Sequence, residues 1–197
     1  MVIAVPDSAN AAAVGYAQEA GLPYSYGLVK NRYVGRTFIQ PDQQFRELGV
    51  RNKFNPLPEV LAGKRVVVVD DSIVRGTTTP HIVSLLKKAG AAEVHMRICA
   101  PPIYSPCHFG VDMAHKSELL ANERSIEEIR HFIGADSLGY LSIEGLHASV
   151  VSGNSDPDSR GFCDACFTGV YPMAVQLEMD KLALEQSIPN AGKPIPD

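Results

Sequence analysis

At 197 residues the chain can hold one good-sized domain with an appendage, but not comfortably two domains. A hydrophobic share of 45% beside 20% charged residues is ordinary globular composition and excludes wholesale disorder. The net charge of -4 excludes a general binder of nucleic acid or anionic membrane, although local basic stretches can still hold a small polyphosphate.

No apolar run approaches the ~20 residues that cross a bilayer, and residues 1–5 are too short for a signal-peptide core, so the expected compartment is the cytoplasm. Four cysteines are present, Cys99, Cys107, Cys163 and Cys166. Without a secretory signal, Cys163-x-x-Cys166 points to metal or redox chemistry rather than to a disulfide framework. Met1 falls directly on an apolar, strand-like run with no helix before it. A domain that opens inside its own sheet is expected to be truncated at its N-terminus.

In chain order the pattern alternates strand, turn and helix, the signature of an α/β domain with a parallel sheet flanked by helices. Residues 2–5 read as a buried strand, residues 6–8 as a turn, and residues 10–20 as an alanine-rich helix stopped by Gly21 and Pro23. Residues 24–29 read as a second strand, residues 30–37 as a polar loop broken by Gly35, and residues 41–49 as a short helix. Residues 66–69 are four valines in a row, apolar on both faces as a central parallel strand requires. The next helix is signposted by Thr79 as N-cap, Pro80 at its first position and Gly90 at its end.

Residues 93–100 are a further strand, and Pro101, Pro102 and Pro106 make a rigid loop. Ser125-x-x-Glu128 fits a capping box opening a helix to Phe132. Residues 138–141 are a last short strand, and residues 143–151 a final helix capped by Ser142. The expected organisation is a domain over 1–151 and a C-terminal segment over 152–197. That segment carries the cysteine pair and a proline-containing, disordered tail.

The chemistry concentrates after the valine strand. Asp70 and Asp71 stand where the strand ends, and a turn rich in hydroxyls and glycine, residues 72–79, runs from them into a helix. Open α/β sheets bind ligands at the carboxyl ends of their strands. Backbone N–H groups at such a turn cradle phosphate, and the hydroxyls of Ser72, Thr77 and Thr78 add donors. Carboxylates cannot hold phosphate, so the acids must face ribose hydroxyls or a metal ion. The bland alternative is an ordinary strand-to-helix turn whose aspartates cap backbone groups. The run is neither a Walker A loop nor a dinucleotide-binding glycine fingerprint.

The run from Val66 to Thr78 resembles the 5-phosphoribosyl 1-pyrophosphate (PRPP) binding motif of type I phosphoribosyltransferases. Three further stretches narrow the resemblance to the amidophosphoribosyltransferase family. Val5-Pro-Asp-Ser8 looks like its pyrophosphate-binding turn, and Lys30-Asn-Arg-Tyr-Val-Gly-Arg-Thr-Phe-Ile39 like its closing loop. Cys107, with Cys163-Asp-Ala-Cys166-Phe-Thr-Gly-Val-Tyr-Pro172, is similar to the iron-sulfur segment of one branch. The match runs from residue 2 to about residue 172 and keeps the order of the motifs.

The resemblance implies the type I phosphoribosyltransferase fold and a PRPP site. Its residues would be Asp7, Ser8, Lys30, Asn31, Arg32, Tyr33, Asp70, Asp71, Ser72, Val74, Arg75, Gly76, Thr77 and Thr78. Ser8, Asp70 and Asp71 become Mg2+ positions, residues 72–78 the seat of the 5'-phosphate and ribose, and Lys30, Arg32, Asp70 and Asp71 the catalytic set. Considered alone, Ser8 is also a plausible N-cap for the alanine helix, and Lys30, Arg32 and Arg36 a solvated basic loop. The implied reaction displaces pyrophosphate from C1 of PRPP with ammonia, giving phosphoribosylamine at the entry to purine biosynthesis.

The family's glutaminase domain, which supplies the ammonia from glutamine, has no counterpart here, and a homo-oligomer is implied for the full-length enzyme. No nucleic acid or membrane partner is expected. Cys107, Cys163 and Cys166 would be three ligands of a [4Fe-4S] cluster whose fourth ligand lies upstream of this chain. From spacing alone, zinc or two buried thiols stay open for the Cys-x-x-Cys pair. Cys99, inside a strand, reads as a core residue. A salvage transferase would share the phosphate loop but not the stretch from Lys30 to Arg36. A PRPP-binding regulator would share the phosphate loop too, but is expected to carry an added nucleic-acid-binding element, and no basic helix pair is evident.

Overall fold

The structure is a computed structural model that describes residues 1–32, 53–111, 116–152 and 162–173. The expected helix over 41–49, residues 33–37 of the expected loop over 30–37, and the C-terminal tail lie outside the described residues.

The first element, β1 (Val2–Ala4), is wholly buried, and the turn after it leads into α1 (Asn10–Glu19). Strand β2 (Leu28–Lys30) pairs antiparallel with β3 (Phe54–Pro56), a two-stranded ribbon outside the main sheet. A short helix, α2 (Pro58–Leu61), precedes β4 (Arg65–Asp70). Then come α3 (Thr79–Lys88), β5 (Glu93–Ile98), a 3-10 turn at Lys116–Glu118 and α4 (Leu120–Glu123). The chain continues through α5 (Ile126–Ile133), β6 (Ser137–Tyr140), α6 (Ile143–Ser152) and α7 (Ala165–Thr168).

The main sheet has the order β1-β4-β5-β6, and all three pairings are parallel. Its two faces carry different cores. On one, the alanine helix α1 lays Ala13 and Ala17 against Val2, Ala4 and Val69, small side chains that let the helix approach closely. On the other, Ile82, Val83 and Leu86 of α3 and Ile129 and Ile133 of α5 pack on Ile3, Val66, Val68, Val94 and Met96. Covered on both sides, β4 needs a valine at nearly every position, which is why its sequence is a continuous apolar run. No helix among the described residues is long and apolar enough to cross a membrane.

Two expectations change. The strand anticipated over 24–29 reduces to a single parallel bridge between Tyr24 and Val2, and pairing resumes only at Leu28 with β3. Gly27 explains the detour. A Cβ there would lie 2.9 Å from Ile3 Cγ2 and 3.0 Å from Leu61 Cδ2, so the chain crosses tightly over the core instead of extending the sheet. Helix α3 also starts one residue early: Thr78 is its N-cap, without a side-chain capping bond, and Thr79 is its buried first residue.

The capping box stands as read. Glu128 N–H donates to Ser125 Oγ at 3.3 Å, Ser125 N–H donates to Glu128 Oε2 at 2.8 Å, and Gly134 closes the helix at φ 73°. Replacing Ser125 with Ala should cost about 1 kcal/mol, seen as a melting temperature lowered by roughly 2–4 °C. An unchanged melting temperature would show that the helix is held by its packed face alone.

Candidate functional site

The carboxyl ends of the neighbouring strands β1 and β4 define the site. Ala4 and Val69 are register partners, and Val5 N–H donates to Val69 O at 2.9 Å, so the turn bearing Asp7 and Ser8 emerges beside Asp70 and Asp71. The Pro6–Asp7 peptide is cis. Lys30, at the end of β2, reaches the same place and donates from Nζ to Asp7 Oδ2 at 2.9 Å. That bond holds the Asp7 carboxyl below its usual range, with the charges of Lys30 and Arg32 adding to the effect. Asn31 continues the strand's course, its N–H donating to Lys53 O at 2.8 Å. Tyr33 lies outside the described residues.

Asp70 is the unusual group. It is 7% exposed, and burial first, then the adjacent negative charge of Asp71, push its carboxyl up to about 7. Asp71 N–H donates to Asp70 Oδ1 at 2.9 Å and Ser72 N–H to Asp71 Oδ1 at 2.6 Å, so the backbone already begins to fold around the acids. Lys53, one residue before β3, lowers the Asp70 carboxyl electrostatically. Sequence reasoning missed Lys53, because nothing local links it to a residue 17 positions away.

Residues 72–78 run from the acids to the start of α3, whose first-turn N–H groups have no intrahelical partners and carry the positive end of the helix dipole. Gly76 is in the left-handed region, φ 69°, and a Cβ there would meet Leu120 Cδ2 at 2.6 Å and Phe132 Cε1 at 3.1 Å. Only glycine fits that bend. Val74 O accepts from Leu120 N–H at 2.9 Å, and Arg75 pairs with Glu118 at 2.9 Å. Ser8, Asp70, Asp71 and the loop are thus collected on one edge, with Asp7 and Lys30 beside them.

The cysteines form a second locality. Tyr104 and Ser105 N–H both donate to Cys166 O at 3.0 Å, and Tyr171 Oη donates to Pro106 O at 2.7 Å, so the cysteine segment is stitched to the proline loop. Burial raises the Cys166 thiol, and Cys107, Cys163 and Asp164 raise it further, which places all three cysteines within electrostatic reach. Phe109 N–H points at Cys107 Sγ, 3.5 Å away. Among the described residues, however, no three His, Cys, Asp or Glu side chains are arranged as a metal site. Cys99 is not simply core: it is half-buried, its N–H donates to Asp70 O at 2.9 Å, and burial and then the two aspartates raise its thiol.

The described residues thus form an open α/β sheet with paired acids and a glycine-bent loop at its strand ends. Residues 1–129 match the phosphoribosyl transferase domain, and the chain belongs to that family. It has the type I phosphoribosyltransferase fold. More particularly, it resembles amidophosphoribosyltransferases. It is 57% identical to that of Archaeoglobus fulgidus over 174 residues, 88% of this chain and 37% of the relative. It is 50% identical to that of Mycobacterium bovis over 200 residues, 98% of this chain and 37% of the relative. The solved glutamine phosphoribosylpyrophosphate amidotransferase of B. subtilis, complexed with ADP and GMP, superposes with a TM-score of 0.74 at 56% identity. That match covers 87% of this chain and 37% of the solved one. The chain therefore spans 37% of the length of these relatives.

The raised Asp70 has a definite consequence for the ligand-free chain. Its folded value, about 7, lies above the ordinary 3.8, so between these values the folded state keeps a proton that the unfolded state has released. The Asp70 contribution to stability is therefore full below about pH 4 and lost as pH rises through about 7, a change on the order of 4 kcal/mol. Asp70→Asn should be more stable than the parent at pH 8, with the difference closing as pH falls toward 4. Urea melts at both pH values check this. A constant difference across the range would contradict it.

Proposed function

We propose that this chain is the phosphoribosyl-transferring part of an amidophosphoribosyltransferase and that its site takes PRPP. The observation that supports this best is the convergence of three features on one sheet edge. These are the Asp70–Asp71 pair, the glycine-bent loop into α3, and the Asp7–Lys30 pair on the neighbouring turn. A phosphate seat beside two acids and a lysine suits a ligand with a phosphate at one end, ribose hydroxyls in the middle and a polyphosphate at the other.

In this reading residues 72–78 and the start of α3 hold the 5'-phosphate, with the hydroxyls of Ser72, Thr77 and Thr78 as added donors. Asp70 and Asp71 face the ribose and the metal, while Lys30 and Arg32 neutralise the pyrophosphate. The ammonia lone pair forms the new bond to C1 as the C1–oxygen bond breaks, its electrons leaving on pyrophosphate, and the surplus proton passes to solvent or to the leaving group. Positive charge develops at the sugar and negative charge on the leaving group, so aligned acids and cations lower the barrier without any side-chain nucleophile. Lys30 and Arg32, bound to the departing group, also exclude water that would hydrolyse PRPP.

Two like charges side by side, one nearly excluded from water, suit a divalent cation. Mg2+ would be held by Asp70 and Asp71, with Ser8 as a further oxygen donor, and would supply charge neutralisation of the pyrophosphate. Cys107, Cys163 and Cys166 suit a [4Fe-4S] cluster in donor type and lie within electrostatic reach of one another, with the Phe109 N–H directed at the Cys107 sulfur, and would hold it as three of its four thiolates once drawn together. The division of the chain near residue 151 into a domain and a C-terminal segment that carries the cysteine pair belongs to the same proposal. So do a glutamine-derived ammonia supply, a homo-oligomeric parent enzyme and a cytoplasmic location.

The decisive experiment is calorimetric titration of the chain with PRPP in the presence of Mg2+. Asp70→Asn/Asp71→Asn should weaken binding at least about 100-fold, as expected when two charged contacts are removed, while the far-ultraviolet circular dichroism stays that of the parent. Unaltered affinity would withdraw the assignment. The same protein should release no glutamate from glutamine, and measurable glutamate would contradict the division of labour. Anaerobic reconstitution tests the cysteines: iron and sulfide bound in a form lost together in Cys107→Ser supports the cluster, whereas stoichiometric zinc without iron replaces it with a structural zinc site.

A further inference from the structure

We propose that three consecutive residues, Glu118, Leu119 and Leu120, position the phosphate loop as an outer bracket, a role that rests on the reading of residues 72–78 as the seat of the 5'-phosphate. Each of the three engages the loop differently. Glu118 Oε2 accepts from Arg75 Nε at 3.0 Å and lies 2.9 Å from Nη2 in the same ion pair. Leu119, fully buried, forms a small core with Ile103 against which Val74 packs. The Leu120 N–H donates to Val74 O at 2.9 Å, and its side chain closes on Gly76 so tightly that no Cβ would fit. The residues touched, Val74, Arg75 and Gly76, are themselves consecutive, so the two segments lie against each other over three positions.

The bracket comes from outside the loop's own strand-turn-helix unit, after β5. It therefore constrains the loop in a way that α3 and β4 cannot. A phosphate cradle made of backbone N–H groups works only while those groups converge, and a glycine at φ 69° removes the side chain that would otherwise hold the bend. Phe132, itself covered by Arg124 at 4.3 Å, closes the other side of Gly76. The Leu119 core also includes Cys166 and Phe167, so the bracket's far side rests on the cysteine segment. Glu118, Leu119 and Leu120 act through the loop they touch. They are positioning residues.

The test uses the whole chain and two probes, ribose 5-phosphate for the phosphate loop and inorganic pyrophosphate for the Asp7–Lys30 side. Glu118→Gln should weaken ribose 5-phosphate binding about threefold, and Glu118→Gln/Leu120→Ala about tenfold, the scale of one exposed ion pair and one ordered contact. Pyrophosphate binding should change by less than about twofold, and Glu118→Asp, which keeps the carboxylate, should restore the single-variant loss. Thermal melts separate loop ordering from folding. Should the leucine variant melt early, the Glu118→Gln and Glu118→Asp pair, at an exposed carboxylate, decides the matter. Equal weakening of both probes, no weakening of ribose 5-phosphate, or failure of Glu118→Asp to restore it would overturn the bracket. A parent chain that binds pyrophosphate but not ribose 5-phosphate overturns the loop assignment and the bracket with it. Binding of neither probe overturns the proposed function itself.

Discussion

Burial of the Asp70 carboxylate is the constraint around which the rest is arranged. Strand β4 runs through the middle of the sheet with helices on both faces, and its last residue carries a charge into nearly the same water-free setting as the valines before it. The negative Asp71 follows at once. Such a pair opposes folding unless something positive stands against it. Lys53, which lowers the Asp70 carboxyl, is a partial answer. The site is thus less stable than its surroundings by construction, and any cation bound there would stabilise the fold through the same contacts.

The scaffold divides its work between rigid and adjustable parts. The sheet fixes where the two turns emerge, through the Ala4–Val69 register and the Val5 N–H bond to Val69 O. The loop over 72–78, by contrast, is shaped by neighbours that arrive much later in the chain. Residues 118–120 touch it directly, and Ile103, Cys166 and Phe167 support them from behind. A single small apolar cluster therefore joins the loop over 72–78 to the cysteine segment. Disturbance of the cysteines has a short, packed route to the loop, through Leu119 and Val74.

How much of this was legible in the sequence depends on the range of the interaction. Local signals carried through: four consecutive valines made the buried strand, Ser125 and Glu128 made the capping box, and Ser142 Oγ accepts from Gly145 N–H at 3.0 Å at the start of α6. The acids, the turn and the following helix were readable because they adjoin in sequence and because their order matches a known binding motif. One-residue errors, as at the start of α3, reflect the near-equivalence of Thr78 and Thr79 as caps when neither side chain makes the bond. The strand expected at 24–29 failed for a tertiary reason. Its residues have strand character, but the close pass at Gly27 over Ile3 diverts the chain, and the partner that rescues β2 lies more than twenty residues on.

By itself, then, the sequence determined the α/β alternation, the central strand, the capped helices and the identity of the acids, glycine, lysine and cysteines that carry the chemistry. Each of these depends on neighbours within a turn or a strand, where side-chain periodicity and backbone geometry decide. Only the tertiary structure decided that Asp70 would be buried and held near neutrality. It alone brought Lys53 within reach of that carboxylate and set Cys99 beside the acids. It also let Glu118 grip an arginine 43 residues earlier. Desolvation and charge pairing act through space, and their strength is set by which surfaces the fold brings together.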